Sequence, residues 1–298
     1  MVLITAVITT HKREPEMVRR ALESVLTQTH KPLQVVVVDD SPRDFSHRAA
    51  VAELVAGYGV QYIAHDTCQG ACAARNTGLA AAQGQFIAFL DDDDVWKPEK
   101  LQRQLEGFQK ESVALVYCRH ELLDTATGKV EQRYPTVCQG RIFDELIKAN
   151  FIGSTSFPLM RTEALRQIGG FDVQMPSSQD HDVWLRLAER YEVAYVDAPL
   201  VTYYVHSGDQ ISKNYARVVG GLSRIDRKHR QYLQTHPQAF CCRGRRLAAA
   251  YAGNRQPAEA LGLWLRCIVK SPLQLRENIK CLYGILRLLW IGRKTVKK

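Results

Sequence analysis

Residues 33–40, LQVVVVDD, hold four consecutive valines and stop at two acids. A strand with water on one side alternates apolar and polar side chains, so an unbroken β-branched run predicts a strand covered on both faces, as in a parallel sheet. The signature repeats along the first third of the chain. VLITAVITT (2–10) precedes a helical stretch opened by Pro15, with Val18, Leu22, Val25 and Leu26 on one face. A second helix is predicted over 48–58, then a strand at VQYIA (60–64). The alanine-rich ACAARNTGLAAAQ (71–83) reads as helix and QFIAFL (85–90) as strand; a helix over 99–110 and a strand at VALVYC (113–118) follow. This β-α-β-α order predicts a Rossmann-like α/β fold, a mostly parallel twisted sheet flanked by helices. In such a sheet a ligand sits outside the carboxyl ends of the strands.

Three of those ends carry polar chemistry: Thr9-Thr10-His11, Asp39-Asp40, and Asp91-Asp92-Asp93-Asp94. Two carboxylates about 4 Å apart repel by roughly 4 kcal/mol at an effective dielectric near 20. Four in succession therefore need either full solvation, as in an acidic turn, or a cation. Acids and hydroxyls at three ends of one sheet converge on one crevice, which is evidence for a site. Neither G-x-G-x-x-G after the first strand nor G-x-x-x-x-G-K-[ST] is present, so dinucleotide and P-loop sites are disfavoured. A phosphate enters so acidic a crevice only with a divalent metal between.

A second constellation lies at SSQDHDVWLRLAERY (177–191). Trp184, Leu187 and Tyr191 form an apolar stripe at i, i+3, i+7. Asp180, four residues before Trp184, is expected on that buried face; Asp182 is expected to face away and pair with Arg186. A carboxylate in the first helical turn is a helix-dipole partner or a functional base.

Charge divides the chain. Residues 1–214 carry 22 Lys and Arg against 28 Asp and Glu, and residues 215–298 carry 18 against 3. The net charge of +9 thus belongs to a C-terminal region with an expected anionic partner, and the expected domain division is 1–214 and 215–298. RRLAAAYAGNRQPAEALGLWLRCIVKSPL reads as a TPR-like helical hairpin. Beyond it Leu275, Ile279, Leu282, Leu286 and Leu289, flanked by Arg276, Lys280 and Arg287, read as a basic amphipathic helix. It is expected either to lie on an anionic membrane surface or to pack on the rest of the protein. The longest apolar stretch, LYGILRLLWI, is too short to span a bilayer. The eight cysteines form no C-x-x-C pair and no signal peptide is evident. A cytoplasmic protein with reduced thiols, peripheral at the inner face of the membrane, is expected.

Five segments resemble, in order, the family 2 glycosyltransferases of the GT-A fold: AVITTHKR, VVVVDDS, GACAARNTGLAAAQGQFIAFLDDDD, GGFD…SSQDHDVWLRLA and YYVHSG. The resemblance implies an inverting, metal-dependent enzyme. It would move a sugar from a nucleoside-diphosphate donor, UDP or dTDP by preference, to a saccharide or lipid-linked acceptor, in bacterial cell-surface polysaccharide or glycoconjugate synthesis. Asp40 would then accept from the imide of a pyrimidine base, with Asp39 supporting the turn and Thr9 and His11 lining the base and ribose side. The D-x-D of the family falls on Asp91 and Asp93. Asp93 would bind Mn²⁺ or Mg²⁺, with Asp91 or Asp92 toward the ribose or bound water, while Asp94 would cap the helix after Pro98. Arg75 would contact the donor or pair with Asp91 to Asp94. Asp180 would be the catalytic base, with Gln179 where the family has glutamate, and His206 a secondary metal ligand. Two alternatives stand beside this one. A non-catalytic nucleotide- or sugar-binding module would share the fold. A nucleic-acid-binding protein would use the basic tail, but its acidic groove and missing signatures speak against it, so no nucleic-acid partner is expected.

Overall fold

The four-valine run forms β2 (Leu33–Asp39), and Val36, Val37 and Val38 are wholly excluded from water. The computed structural model describes residues 2–133, 137–205 and 214–294, with side chains through residue 290. Two units divide the chain: one of residues 1–143, 151–173 and 180–207, the other of 144–150, 174–179 and 208–298.

The first unit begins with β1 (Ile4–Thr10), α1 (Pro15–Leu26), β2, α2 (Arg48–Gly57), β3 (Gln61–Ala64), α3 (Ala71–Ala81) and β4 (Phe86–Asp91). Strand–helix alternation is as expected to this point. Pro15 opens α1 at a position where no N–H is needed, and Val18, Leu22 and Val25 bury the predicted face. With Ile4, Ala6 and Ile8 of β1 and Val51 and Val55 of α2, they form the core beside the sheet. Each valine, leucine or isoleucine among them contributes about 1.5–3 kcal/mol on burial. There follow β5 (Val95–Trp96), α4 (Lys100–Leu105), β6 (Val113–Asp124), β7 (Val130–Arg133), α5 (Phe143–Leu146, all but its first residue in the second unit), β8 (Leu159–Arg161), α6 (Thr162–Gln167), α7 (Gln179–Ala188, of which Gln179 belongs to the second unit) and β9 (Glu192–Val205). Helix α4 is shorter than its pattern predicts. The Gly107 N–H closes a turn on Gln104, and Phe108 packs on Phe86, ring centroids 4.4 Å apart, which steers the chain toward β6.

The strands order as β3-β2-β1-β4-β8-β6-β9-β5, with β7 on β6. Strands β1 to β4 are parallel, and so are β6 and β9; β8 runs antiparallel to both β4 and β6 and joins the two parallel pieces. This mixed half is not readable from strand composition, because a three-residue strand gives no sign of its direction. Register matters most at the carboxyl ends, where Thr10 pairs with Asp39 and Thr9 with Asp91. The two acidic ends are thus held level on either side of β1.

The second unit contains α8 (Tyr215–Lys228), α9 (Arg230–Thr235), α10 (Pro237–Gly253), α11 (Pro257–Lys270) and α12 (Leu275–Lys294). Ala248 and Ala252 of α10, Ala260 of α11 and Ile285 of α12 are buried together, small side chains letting the helices approach closely. The stripe expected on α12 is split. Cys281 and Leu289 pack inward with Ile285, whereas Leu275, Ile279 and Leu286 stay exposed. Among the described residues, no helix is long and apolar enough to cross a membrane.

Candidate active site

Helix α3 carries the GACAARNTG segment past the strand ends. Gly70, at φ 90°, adopts a conformation open to glycine and donates its N–H to Asp40. At Gly78 the helix lies so close to β1 that a Cβ would come within 2.2 Å of Val7 Cγ1. Asn76 then clamps the GGFD segment. Its amide nitrogen donates to the Phe171 carbonyl and its amide oxygen accepts the Phe171 N–H, both at 2.8 Å. The family segments therefore brace one another before any ligand is considered.

Asp40 is buried, and its two oxygens accept from four donors: His65 Nδ1, the Gln69 and Gly70 N–H groups at 2.7 Å, and the Cys68 thiol at 3.3 Å. Burial works against its ionised form, but those donors outweigh it and hold the pKa below the ordinary carboxylate value. A carboxylate offers about four lone-pair sites, so a base N–H reaches Asp40 only in exchange for one of these donors. Asp39 supports the turn as expected, accepting from the Ser41 N–H at 2.8 Å and from Tyr62. Thr9 is half-buried in β1, and His11 is exposed just beyond it. His11 joins two strand ends: its Nδ1 meets the Asp40 carbonyl at 2.9 Å, and its N–H points to Asp92 Oδ2 at 3.4 Å.

The four aspartates are not equivalent. Asp91 pairs with Arg75 at 2.7 Å and accepts from the Ser154 and Thr155 hydroxyls. Arg75 forms the ion pair that is one of its two expected roles. Burial opposes the Arg75 charge, but Asp91 and, more weakly, Asp180 overcome this and raise its pKa. Arg13 bridges the next two acids, Nε to Asp92 at 2.9 Å and Nη2 to Asp93 at 3.0 Å. Burial pushes Asp92 up to about 6, with Arg13 pulling down and Asp93 pushing up. Asp94 does not cap a helix. It is fully buried, no helix starts until Lys100, and Glu99 occupies the cap position. Burial first, then Asp91 and Asp93, raise its pKa well above the ordinary value. Arg13 and Arg75 thus supply counter-charge to Asp91, Asp92 and Asp93 from within the chain.

On α7, Trp184 and Leu187 are buried as predicted, and the Trp184 Nε1–H reaches the Gly153 carbonyl at 3.0 Å. The expected orientation of the two acids is reversed. Asp182 keeps its pair with Arg186 at 2.8 Å but is fully buried, because Arg186 bends inward to donate to the Ile168 and Gly170 carbonyls. Asp180 is only half-buried. Burial, with the charges of Asp94, Asp93, Asp91 and Asp180, pushes the Tyr203 phenol up to about 12. One side chain thus senses the acids of both segments. His11 links Asp40 to Asp92, Arg13 links Asp92 to Asp93, and Arg75 on Asp91 feels the Asp180 charge; His206 lies outside the described residues.

Oxygen-only donors at Asp91 to Asp93 fit Mn²⁺ or Mg²⁺, and Asp93, 27% exposed against 6% for Asp92, is the more accessible of the pair. Sequence inspection passed over Arg13, the 154–156 hydroxyls and Tyr203. Only Arg13 left a signal, as a cation just past a strand end opposite an acidic one.

A family model described as Glycosyl transferase family 2 matches residues 5–169, more than half of the chain. A Bacillus subtilis (strain 168) protein named as a teichuronic acid biosynthesis glycosyltransferase, TuaG, is 28% identical over 214 residues, 71% of this chain and 82% of its own. The Escherichia coli UDP-Glc:alpha-D-GlcNAc-diphosphoundecaprenol beta-1,3-glucosyltransferase WfgD is 26% identical over 215 residues, 71% of this chain and 80% of its own. A mannosyltransferase from Pyrobaculum calidifontis, solved with GDP-Man and Mn²⁺, superimposes with a TM-score of 0.59 at 17% identity, covering 96% of this chain and 87% of its own.

Proposed function

The chain belongs to glycosyl transferase family 2, and from that premise we propose that it is an inverting, metal-dependent enzyme. It transfers a sugar from a nucleoside-diphosphate donor, UDP or dTDP by preference, to an acceptor hydroxyl on a saccharide or lipid-linked glycan of a bacterial cell surface. The observation that carries this reading is Arg75, which pairs with Asp91 at 2.7 Å and lies within the field of Asp180, so that one buried cation faces both acidic segments. That proximity is what a base facing a metal-held leaving group requires. The names of the B. subtilis and E. coli relatives support the polysaccharide setting, and the E. coli name supports both a UDP donor and a lipid-diphosphate acceptor.

In this mechanism Asp180 takes the acceptor proton as the acceptor oxygen attacks the anomeric carbon. The new carbon–oxygen bond forms on one face while the bond to the diphosphate breaks on the other, so an α-linked donor gives a β-linked product. Asp93, with Asp91 or Asp92, would hold Mn²⁺ or Mg²⁺, which supplies Lewis-acid stabilisation of the departing diphosphate; the Mn²⁺ named with the P. calidifontis structure supports that assignment. Arg75 and Arg13 position the acids, and Thr9, His11 and Asp40 take the base and ribose side.

Peripheral attachment to the inner face of the cytoplasmic membrane completes the proposal. Leu265, Val269, Leu273, Ile279, Leu286 and Trp290 are exposed on or between α11 and α12, with Arg266, Lys270, Arg276, Lys280 and Arg287 exposed among them. Apolar side chains ringed by cations suit an anionic bilayer.

Asp180→Asn tests the catalytic reading. Transfer is expected to fall by about 10²–10⁴-fold while Mn²⁺-dependent nucleotide binding, followed by calorimetry, stays near wild type. Undiminished transfer would remove Asp180 from the mechanism.

A further inference from the structure

We propose that Cys68, His11 and Asp40 form a site for a thiophilic divalent cation such as Zn²⁺, distinct from the oxygen-only cluster at 91–94. The three residues come from different places: His11 follows β1, Asp40 follows β2, and Cys68 lies in the loop between β3 and α3. The fold nevertheless brings one ligand atom of each within 4.8 Å of the others. Cys68 Sγ is 3.3 Å from Asp40 Oδ2 and 3.9 Å from His11 Nδ1. With zinc bonds of about 2.3 Å to sulfur and 2.0–2.1 Å to nitrogen or oxygen, the tetrahedral edges from sulfur are about 3.5 Å. The observed separations bracket that value, so occupancy asks only small side-chain rotations.

The donor set separates this site from the first. Thiolate and imidazole nitrogen select zinc and its neighbours over Mn²⁺ and Mg²⁺, which favour carboxylate and water. Asp40 is also braced as a metal ligand needs to be. His65 Nδ1 and the Gln69 N–H hold one oxygen and the Gly70 N–H the other, and His65 is itself fixed by Thr77 at 2.8 Å. Cys68 and His11 are exposed, so an ion arrives from solvent and keeps a coordination position for water. Binding releases the Cys68 thiol proton to solvent, and His11 gives up the Nδ1–H bond to the Asp40 carbonyl, its proton passing through solvent to Nε2 so that the bare Nδ1 takes the metal.

The consequence for activity rests on the proposed function, in which His11 and Asp40 line the base side of the donor. An ion there excludes the base, so Zn²⁺ inhibits in competition with the nucleotide sugar.

Binding is read independently of catalysis by titrating the reduced full-length chain with Co²⁺ and following the near-ultraviolet thiolate-to-cobalt charge-transfer band. Wild type is expected to develop the band and lose it to Zn²⁺; Cys68→Ser, which keeps a small polar side chain, is expected not to develop it. In the transfer assay with Mn²⁺ in excess, Cys68→Ser keeps basal activity and needs at least about tenfold more Zn²⁺ for half-inhibition. Absence of the band in wild type, or its persistence in Cys68→Ser, overturns the site. A band with no sugar transfer under any donor keeps the site and counts against the glycosyltransferase reading instead. Equal Zn²⁺ sensitivity in both proteins, with the band present only in wild type, overturns the inhibitory role.

Discussion

Arg13→Gln removes a cation that touches both Asp92 and Asp93, and its cost is expected to depend on pH. Each of the two hydrogen bonds, at 2.9 and 3.0 Å, belongs to the charge-assisted class worth about 1.5–3 kcal/mol. The Arg13 side chain is 37% exposed and Asp93 27%, so the Asp93 arm is screened and contributes under about 1 kcal/mol. Asp92 dominates, and its penalty is limited by protonation. Its folded pKa of about 6 lies above the ordinary 3.8. Wild type therefore loses stability as pH rises through that interval, by about 3 kcal/mol. Without Arg13 the folded pKa climbs further and the loss continues to higher pH. The charge-assisted hydrogen bond to Asp92 that is lost sets the size of that further loss at about 2 kcal/mol. Urea unfolding at about pH 5, where Asp92 is largely protonated in both proteins, should separate them by less than about 1 kcal/mol. At about pH 8 the gap should reach about 2 kcal/mol. An equal gap at both pH values, or none at the higher one, would refute the assignment of Arg13 as the counter-charge of Asp92.

Asp93→Ala should abolish the Mn²⁺-dependent part of donor binding, measured by calorimetry with and without the metal; retention of that part would move the ligand role to Asp91 or Asp92. Gly78→Ala places a methyl 2.2 Å from Val7 Cγ1, and overpacking of this kind costs about 1–3 kcal/mol. Thermal unfolding should show a fall of several degrees, and an unchanged midpoint would mean that α3 and β1 are free to part. Vesicles containing anionic lipid should co-float with the full chain and neutral vesicles should not. The triple variant Leu265→Glu, Ile279→Glu and Leu286→Glu should stay at the bottom of the gradient with both, and its flotation with anionic vesicles would sink the apolar part of the membrane proposal.

Local patterns fixed much of this protein before any tertiary contact is considered. The unbroken valine run could belong only to a strand covered on both faces, and the spacing of Val18, Leu22 and Val25 only to a helix with one buried side. The order of those elements put Thr10, Asp39 and Asp91 at the carboxyl ends of one sheet, since a parallel sheet gives every strand the same polarity. The sign of the charge at each end of the chain was equally legible, because charge is a property of composition. Tertiary structure decided what spacing along one element cannot encode. The antiparallel insertion of β8 depends on where the chain returns after β7, and nothing in three residues records that. Arg186 could bury Asp182 only because the Ile168 and Gly170 carbonyls came within its reach, so the helical pattern gave the pair but not its depth. The sequence did not give Arg13 between Asp92 and Asp93, and it left the Arg75–Asp91 pair as one of two roles, these being contacts across 79, 80 and 16 residues. Such contacts are set by the register of β1 beside β4 and the seating of α3. The side chains named the chemistry available, and the sheet decided which of those charges would meet.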